Sequence, residues 1–371
     1  MTAALSDRSQ YPTLTHFHYM NQASLGLVGG GPVATMHRFL DDVARHGNVH
    51  MSDEEESGFL DGLRGAASTL LGVDPAKVAV TAGASELLGQ APGLLRPPRG
   101  SEVVVVATDF PAITRPWLRL ADHGGCRVRF VDDDPASDLT SDLIAAIGDD
   151  TAVVAVATTQ YATGSRIDVD RLTAAIRGTG VRLVLDITQD AGAMRAAPST
   201  WEADLVACSG YKWLGGHGGA ALGVVAPVTL GEAPPLPGWM GAIDPFDFDA
   251  SRADYAPDAR RFTLSTMSYV SVVGLTESID ELASLDIARV EEHSDALARH
   301  LVSSVASSGW IPFRELDDPA AGSHIVSLGH AELDAARAAR SARSAGVVCG
   351  ARLGRIRVSL AHYNDETDVD A

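Results

Sequence analysis

Seven short apolar runs, at 78–81, 102–107, 127–131, 152–157, 181–186, 204–207 and 220–225, recur between stretches of helical periodicity. Val, Leu, Ile and Ala dominate them with scarcely a polar break, so each run is expected to be buried on both faces. A mainly parallel sheet with helices packed on both sides accommodates such strands in that order. The fold class read from the sequence is therefore α/β, with one seven-stranded, mainly parallel sheet. After Ala226 the texture changes, and residues 227–260, rich in Pro, Asp and Gly, read as a long connecting loop. Helices are expected over 267–285 and 287–306. Alternating runs at 324–330 and 355–360 flank a further helix at 331–345, which makes a smaller α+β unit. The expected division is a large domain over 18–245 and a small one built from 1–17 with 246–371.

Charge narrows the partners. With 29 basic and 48 acidic residues the formal charge is −19, which repels phosphate backbones and anionic lipid. Neither nucleic acid nor a membrane surface is expected as a partner. No apolar run approaches the ~20 residues of a membrane span, and the opening MTAALSDRSQ lacks a signal-peptide core. Cys126, Cys208 and Cys349 are scattered, without a disulfide framework or zinc spacing, so a cytoplasmic protein without a metal site is expected. The run Gly29-Gly30-Gly31-Pro32 lacks a preceding strand and the GxGxxG spacing, and reads as a loop leading into a helix at 33–45.

Lysine is scarce enough to be informative. The chain holds two, Lys77 and Lys212, while its other basic residues are arginine. Arginine does not give up its proton, whereas a lysine amine can, and can then form a Schiff base with a carbonyl. Lys212 lies between the runs 204–207 and 220–225, in a polar turn before a glycine-rich corner. An ordinary turn residue would satisfy that position equally well, so its neighbours decide.

Ligands of open parallel sheets bind beyond the carboxyl ends of the strands, so the residues just after each run matter most. Thr81-Ala82-Gly83-Ala84-Ser85-Glu86 follows the first run and opens a helix. Its free backbone N–H groups and the Ser85 hydroxyl suit an anion, although an ordinary helix cap has the same look. Asp109-Phe110-Pro111 places an aromatic at a loop tip, and Thr158 to Gly164, with Tyr161, follows the fourth run. Asp186-Ile187-Thr188-Gln189 ends an apolar strand on a carboxylate, which needs a positive partner or several donors. Ser209, Tyr211 and Lys212 follow the sixth run. An anion cup, a flat aromatic, a buried carboxylate and a Schiff-base lysine together suit pyridoxal 5′-phosphate. In that reading Asp186 keeps the ring nitrogen protonated, Phe110 stacks on the ring and Gln189 bonds the ring hydroxyl.

The chain also resembles the fold-type-I pyridoxal-phosphate enzymes, in particular the class V aminotransferase group that includes cysteine desulfurases and isopenicillin N epimerase. The similarity runs from Tyr19-Met20-Asn21 to Tyr363-Asn364 and is most specific at DITQ (186–189), SGYK (209–212), RFTLST (261–266) and RVSLAHYN (357–364). It implies that Lys212 carries the cofactor, that Asp186 and Gln189 contact its ring, and that Ala84, Ser85, Ser209 and Tyr211 hold its phosphate. Thr266 matches a threonine that reaches the phosphate of a neighbouring subunit, which implies a homodimer. Arg357 matches the arginine that clamps a substrate α-carboxylate, a bidentate role lysine cannot copy. Tyr161 and Asn21 are expected beside it as substrate contacts.

Departures from the group shape the expected reaction. Desulfurases carry a nucleophilic cysteine on a long loop before the carboxylate-binding arginine, whereas here Cys349 and Arg357 are joined by the short GARLGRI. Cys349 and Cys208 both fall in expected strands and read as small hydrophobes. Phe110 stands where many relatives stack a histidine. The frame without the cysteine points to a lyase cleaving the Cβ–S bond of an S-substituted cysteine or related amino acid. Decarboxylation-coupled oxidative deamination, transamination and epimerisation are the alternatives on the same frame. Trp239, Met240 and Phe246, in the long loop, suit a wall for a bulky substrate and suit a plain surface loop as well.

Overall fold

In the computed structural model, which describes residues 2–371, the chain forms two main sheets and a short strand pair. Strand β1 is His18–Tyr19. The seven expected apolar runs become β2 (Val78–Thr81), β3 (Ser101–Val106), β4 (Cys126–Val131), β5 (Thr151–Ala157), β6 (Arg182–Asp186), β7 (Leu205–Ser209) and β8 (Ala221–Val225). They form one sheet in the order β2-β8-β7-β6-β5-β3-β4. All its pairings are parallel except the two made by β8. The α/β reading and the mainly parallel sheet hold.

The near-continuous apolar runs are explained by cover on both faces. Val78, Val80, Val104, Val106, Val154, Val156 and Val206 point into one core, while Ala79, Val103, Val105, Val153, Ala155, Val184 and Leu205 point into another. The first core is closed by the helices Asp53–Leu71 and Tyr269–Leu285, the second by Ala84–Leu95 and Pro111–Asp122. Burying each Val or Leu contributes roughly 1.5–3 kcal/mol, so alternation between two cores locks the register of every strand.

The second sheet has the order β12-β13-β10-β9 and belongs to the smaller unit: β9 (Trp310–Pro312), β10 (Ile325–His330), β12 (Gly350–Arg352) and β13 (Arg355–Ser359). Strand β11 (Val347–Val348) pairs instead with β1. Helix Ile287–Val305 packs its Leu297, Ala298 and Leu301 beneath this sheet with Met20. Two packing relations differ from a division at residues 18 and 246. The helix Tyr269–Leu285 contributes Val272, Leu275 and Ile279 to the large-sheet core, and β1 with Met20 packs in the small unit. Hydrophobic faces set these relations, and they join residues remote in sequence.

The glycine run differs slightly from its reading as a loop, because the helix starts at Gly30 and runs to His46. Residues 227–260 are mostly irregular, with the short helix Pro227–Leu230 and 3₁₀ turns at Trp239–Gly241 and Pro245–Asp247. Among the described residues no helix is long and apolar enough to cross a membrane.

Candidate active site

The carboxyl ends of β2, β3, β5, β6 and β7 converge on one small cavity of about 100 Å³, open to solvent. Ala84, Ser85, Phe110, Tyr161, Asp186, Gln189, Ser209, Tyr211 and Lys212 all line it. Nine of the positions singled out along 371 residues are thus gathered by the sheet at one edge. A larger cleft of about 530 Å³, between Arg171, Arg195 and Asp318, holds no lysine. Its arginines are paired, Arg171 to Asp138 and Arg195 to Glu291, so the smaller cavity carries the reactive groups.

Lys212 sits in the turn after β7 and is only 7% exposed. Its Nζ lies 5.3 Å from the centre of the Phe110 ring and 5.8 Å from that of Tyr211. Burial lowers its pKa to about 8, against the pull of Asp186, which favours the charged amine. Asp186 ends β6, accepts a hydrogen bond from the Thr188 N–H at 2.9 Å, and is itself pushed up by burial. Desolvation therefore outweighs mutual attraction for both partners, and the amine is poised to lose its proton near neutrality.

The backbone of Lys212 is gripped from outside the sheet. Gln22 donates its side-chain N–H to the Lys212 carbonyl at 2.8 Å, and the Tyr363 hydroxyl donates to the other end of that amide. Gly26 passes so close that a Cβ there would lie 2.1 Å from the same carbonyl oxygen. Only a residue without a side chain permits that approach.

The expected anion cup falls on the first turn of the helix Ala84–Leu95. Its N-cap Gly83 offers no side-chain bond, and Gly83, Ala84 and Ser85 line the cavity. Ser209, at the end of β7, stands opposite and is itself held by its N–H to the Thr188 hydroxyl at 3.0 Å. Phe110 caps the helix Pro111–Asp122, 41% exposed, with its ring edge-on to Tyr161 at 5.4 Å and 85°. Gln189 accepts from the Trp213 indole N–H at 2.8 Å and donates to the Ala23 carbonyl at 3.3 Å, which leaves one N–H for the cavity.

Arg357, on β13, is 1% exposed and adjoins the cavity through its bond to the Tyr161 carbonyl at 2.7 Å. It also donates to the Ser24 hydroxyl. Among the described residues no carboxylate pairs with it, its Nε has no partner, and burial lowers its pKa to about 10. Asn21 Oδ1, also buried and unpartnered, faces the same space at Gly350. A buried guanidinium without a counterion is costly, and a carboxylate ligand would offset that cost. Thr266 is exposed and does not line this cavity.

Sequence reading passed over Thr159 and Thr188 as lining residues, Gln22 and Ser24 as braces, and Trp213 as the partner of Gln189. The tryptophan directly after the lysine was the one visible signal; the rest depend on long-range approach. Asp42, His46 and His50 bring three ligand atoms within 4.8 Å of one another on the surface, with both imidazoles bonded to one Asp42 oxygen. None of the three lines the cavity.

The residues fit pyridoxal phosphate on grounds internal to the structure: an uncapped helix start, a buried carboxylate, a flat ring and a buried amine of lowered pKa facing one cavity. Comparison with known proteins agrees. The model for the family described as "Aminotransferase class-V" matches residues 33–371. A kynureninase of Deinococcus radiodurans is 36% identical over 151 residues, 40% of this chain and 37% of that protein. A kynureninase of Bacillus anthracis is 26% identical over 347 residues, covering 89% of this chain and 80% of that protein. A probable cysteine desulfurase of Aeropyrum pernix is 28% identical over 339 residues, covering 86% and 81%. Among solved structures the cystine C–S lyase C-DES, in complex with its product cysteine persulfide, superposes with a TM-score of 0.84 at 20% identity, covering 97% of each chain. A mutant of C-DES, with glycine covalently linked to its PLP cofactor, gives 0.86 at 20% identity, covering 98% of this chain and 97% of that one. The fold is that of the fold-type-I enzymes, and pyridoxal phosphate is the cofactor of the group. The chain belongs to the class V aminotransferase family.

Proposed function

We propose that this protein is a pyridoxal-phosphate-dependent lyase that cleaves the Cβ–S bond of an S-substituted cysteine or related amino acid. The observation that carries the reading is Lys212: a buried amine with its pKa lowered to about 8, beside Asp186, in a cavity that no thiol lines. Cys208 is buried in β7 and Cys349 is half-buried against the small core, and burial raises both thiols above their ordinary range. A persulfide relay through either is therefore disfavoured.

When bound, pyridoxal phosphate supplies a covalent link to the substrate amine and a sink for negative charge at its Cα. The chain's own residues supply the rest. The N–H groups of Ala84 and Ser85, with the hydroxyls of Ser209 and Tyr211, are placed to hold a phosphate. Asp186 provides a counter-charge at the cavity floor, and Phe110 covers one face and keeps water from it. Arg357, with Tyr161 and Asn21 beside it, binds the substrate α-carboxylate and fixes which Cα bond faces the reacting system. Lys212 Nζ takes the Cα proton as general base while the thiolate leaves Cβ. The net change is S-substituted cysteine plus water to pyruvate, ammonia and a thiol.

A second reading, kynureninase activity, is favoured by the sequence relatives of that name, one of them matching over 347 residues. Exposed Thr266 fits a contact with the cavity of a second copy, so a homodimer is part of the proposal, as is a cytoplasmic setting. The test is product analysis of the loaded protein with S-substituted cysteines and, separately, with kynurenine, without any 2-oxo acid. Pyruvate, ammonia and thiol support the lyase. Turnover of kynurenine alone would replace it, and carbon dioxide with hydrogen peroxide would point to oxidative decarboxylation at the same Cα.

A further inference from the structure

Arg357 is not the only guanidinium at this end of the site. Strands β12 and β13 form a hairpin with Gly350 opposite Arg357 and Arg352 opposite Arg355. Residues directly opposite share a face, and residues two apart on one strand do too, so Arg352 and Arg357 project from the same side of the hairpin. The turn between them is the two-residue Leu353-Gly354, with φ of 47° and 73°, the tight primed type that ends a hairpin abruptly. Arg352 is therefore fixed at the very end of its strand. The residue facing Arg357 is glycine, and a Cβ there would lie 3.5 Å from Arg357 Nε and Nη2 and 3.1 Å from Asn21 Oδ1. The absent side chain leaves the face between the two arginines uncovered.

Both guanidinium groups converge on one hydroxyl. Arg352 Nη2 donates to Ser24 Oγ at 3.3 Å, and Arg357 Nη2 donates to the same oxygen. A hydroxyl oxygen neutralises neither charge. The ion pairs among the described residues include many arginines, yet neither Arg352 nor Arg357. Arg352 is close enough to the reacting amine to disfavour the charged form of both Lys212 and Arg357. Arg355, the neighbour on that face, leans away with its guanidinium 5.0 Å from the Phe313 ring and takes no part.

Two like charges meeting on one neutral oxygen repel each other unless anions fill the space between and beside them. One substrate α-carboxylate satisfies Arg357. It leaves Arg352, exposed and bonded to the neutral Ala351 carbonyl and Ser24 hydroxyl, without an anionic partner.

We propose that Arg352 is a specificity-determining residue, and that the preferred amino-acid substrate carries a second carboxylate at the far end of its side chain. The inference rests on the amino-acid-substrate reading above and narrows it to a substrate class, dicarboxylic amino acids such as a cysteine S-linked to a carboxylated group. Arg357 then holds the α-carboxylate within, and Arg352 holds the distal one at the entrance. Ser24 keeps the two guanidinium groups at a set spacing.

The test is a binding titration of the cofactor-loaded protein, read from the change in its visible absorption, with S-carboxymethyl-L-cysteine and S-methyl-L-cysteine. The two differ by the distal carboxylate. At low ionic strength the dicarboxylate should half-saturate at about a tenfold lower concentration, a ratio that shrinks as salt is added because Arg352 is exposed. Arg352→Gln should bring the ratio close to one, and Arg352→Lys should keep part of it, with an unchanged circular dichroism spectrum showing that the hairpin is intact. Equal affinities in the natural protein, or a preference that survives Arg352→Gln, would overturn the role of Arg352 and leave the proposed reaction standing. A spectrum that responds to neither compound would overturn the amino-acid-substrate reading, and this inference with it.

Discussion

The indole N–H of Trp213 donates to the side-chain oxygen of Gln189 at 2.8 Å, and this bond decides which way the Gln189 amide faces. His324 backs the pair, with its ring edge-on to Trp213 at 4.9 Å and its Nε2 2.7 Å from the Gln189 carbonyl oxygen. Trp213→Phe keeps the apolar packing and removes the donor. The amide is then free to turn its oxygen toward the cavity, at a cost of about 1–3 kcal/mol for a buried acceptor left unpaired. Titration of the cofactor-free protein with pyridoxal phosphate should show affinity reduced roughly tenfold.

Attachment of the cofactor aldehyde should track the ionisation of Lys212. Its pKa in the folded protein is about 8, lowered from 10.5 chiefly by burial. The reactive neutral amine therefore increases as pH rises, and the attachment rate should level off just above pH 8. Asp186→Asn removes the charge that favours the ammonium form, so the plateau should arrive at lower pH. Stability shifts in the same window: between about 8 and 10.5 the unfolded chain still holds a proton that the buried amine has lost, so the cofactor-free protein gains stability as pH rises. Stopped-flow absorbance and denaturation across that range check both, and an attachment rate still climbing at pH 10 would contradict the lowered pKa.

Arg314 ties the small unit to the large sheet. Its buried guanidinium reaches Asp133 Oδ1 at 2.9 Å, Ser165 Oγ at 2.7 Å, and the carbonyls of Ser137 and Asp134 at 2.8 Å each. Arg314→Ala leaves the buried Asp133 carboxylate with the Thr163 hydroxyl but without its counter-charge, and urea denaturation should show a loss of about 3–5 kcal/mol. Arg314→Lys should recover only part, because an ammonium cannot copy the planar fork. Disrupting the exposed pair Arg171–Asp138 should cost less than about 1 kcal/mol.

The thiols should be slow. Burial raises all three cysteines above the ordinary thiol range, so labelling by iodoacetamide at pH 8 should lag behind a free cysteine by an order of magnitude or more. Cys349→Ala should keep most of the activity. Abolished turnover in that variant would restore a persulfide mechanism.

The parallel sheet was legible because burial on both faces leaves an unbroken apolar run, a signal that needs no knowledge of partners. The cavity was legible for the same reason: Asp186, Lys212, Ala84 and Phe110 each stand at the end of such a run. What escaped the sequence were contacts whose strength comes from approach across the fold. Gln22 and Ser24 lie in a stretch that reads as an ordinary loop, and nothing local says that one braces Lys212 and the other joins two arginines. Strands β9, β11 and β12, two or three residues long, carry too few residues for alternation to declare itself. Helix Tyr269–Leu285 was found, yet its place on the large sheet depends on where its apolar face lands.

The brace on Lys212 has a consequence for how the protein comes into being. Gln22 meets the lysine carbonyl across 190 residues and receives the Tyr363 hydroxyl across 341. During synthesis the large sheet and the lysine emerge from the ribosome well before the tyrosine that steadies Gln22 exists. Contacts so distant in sequence form slowly and last. The sheet and the Gln22 contact can therefore assemble on the growing chain while the bond that steadies Gln22 waits for translation to reach residue 363, and a nascent chain stalled before that point holds the lysine by a glutamine that lacks its support.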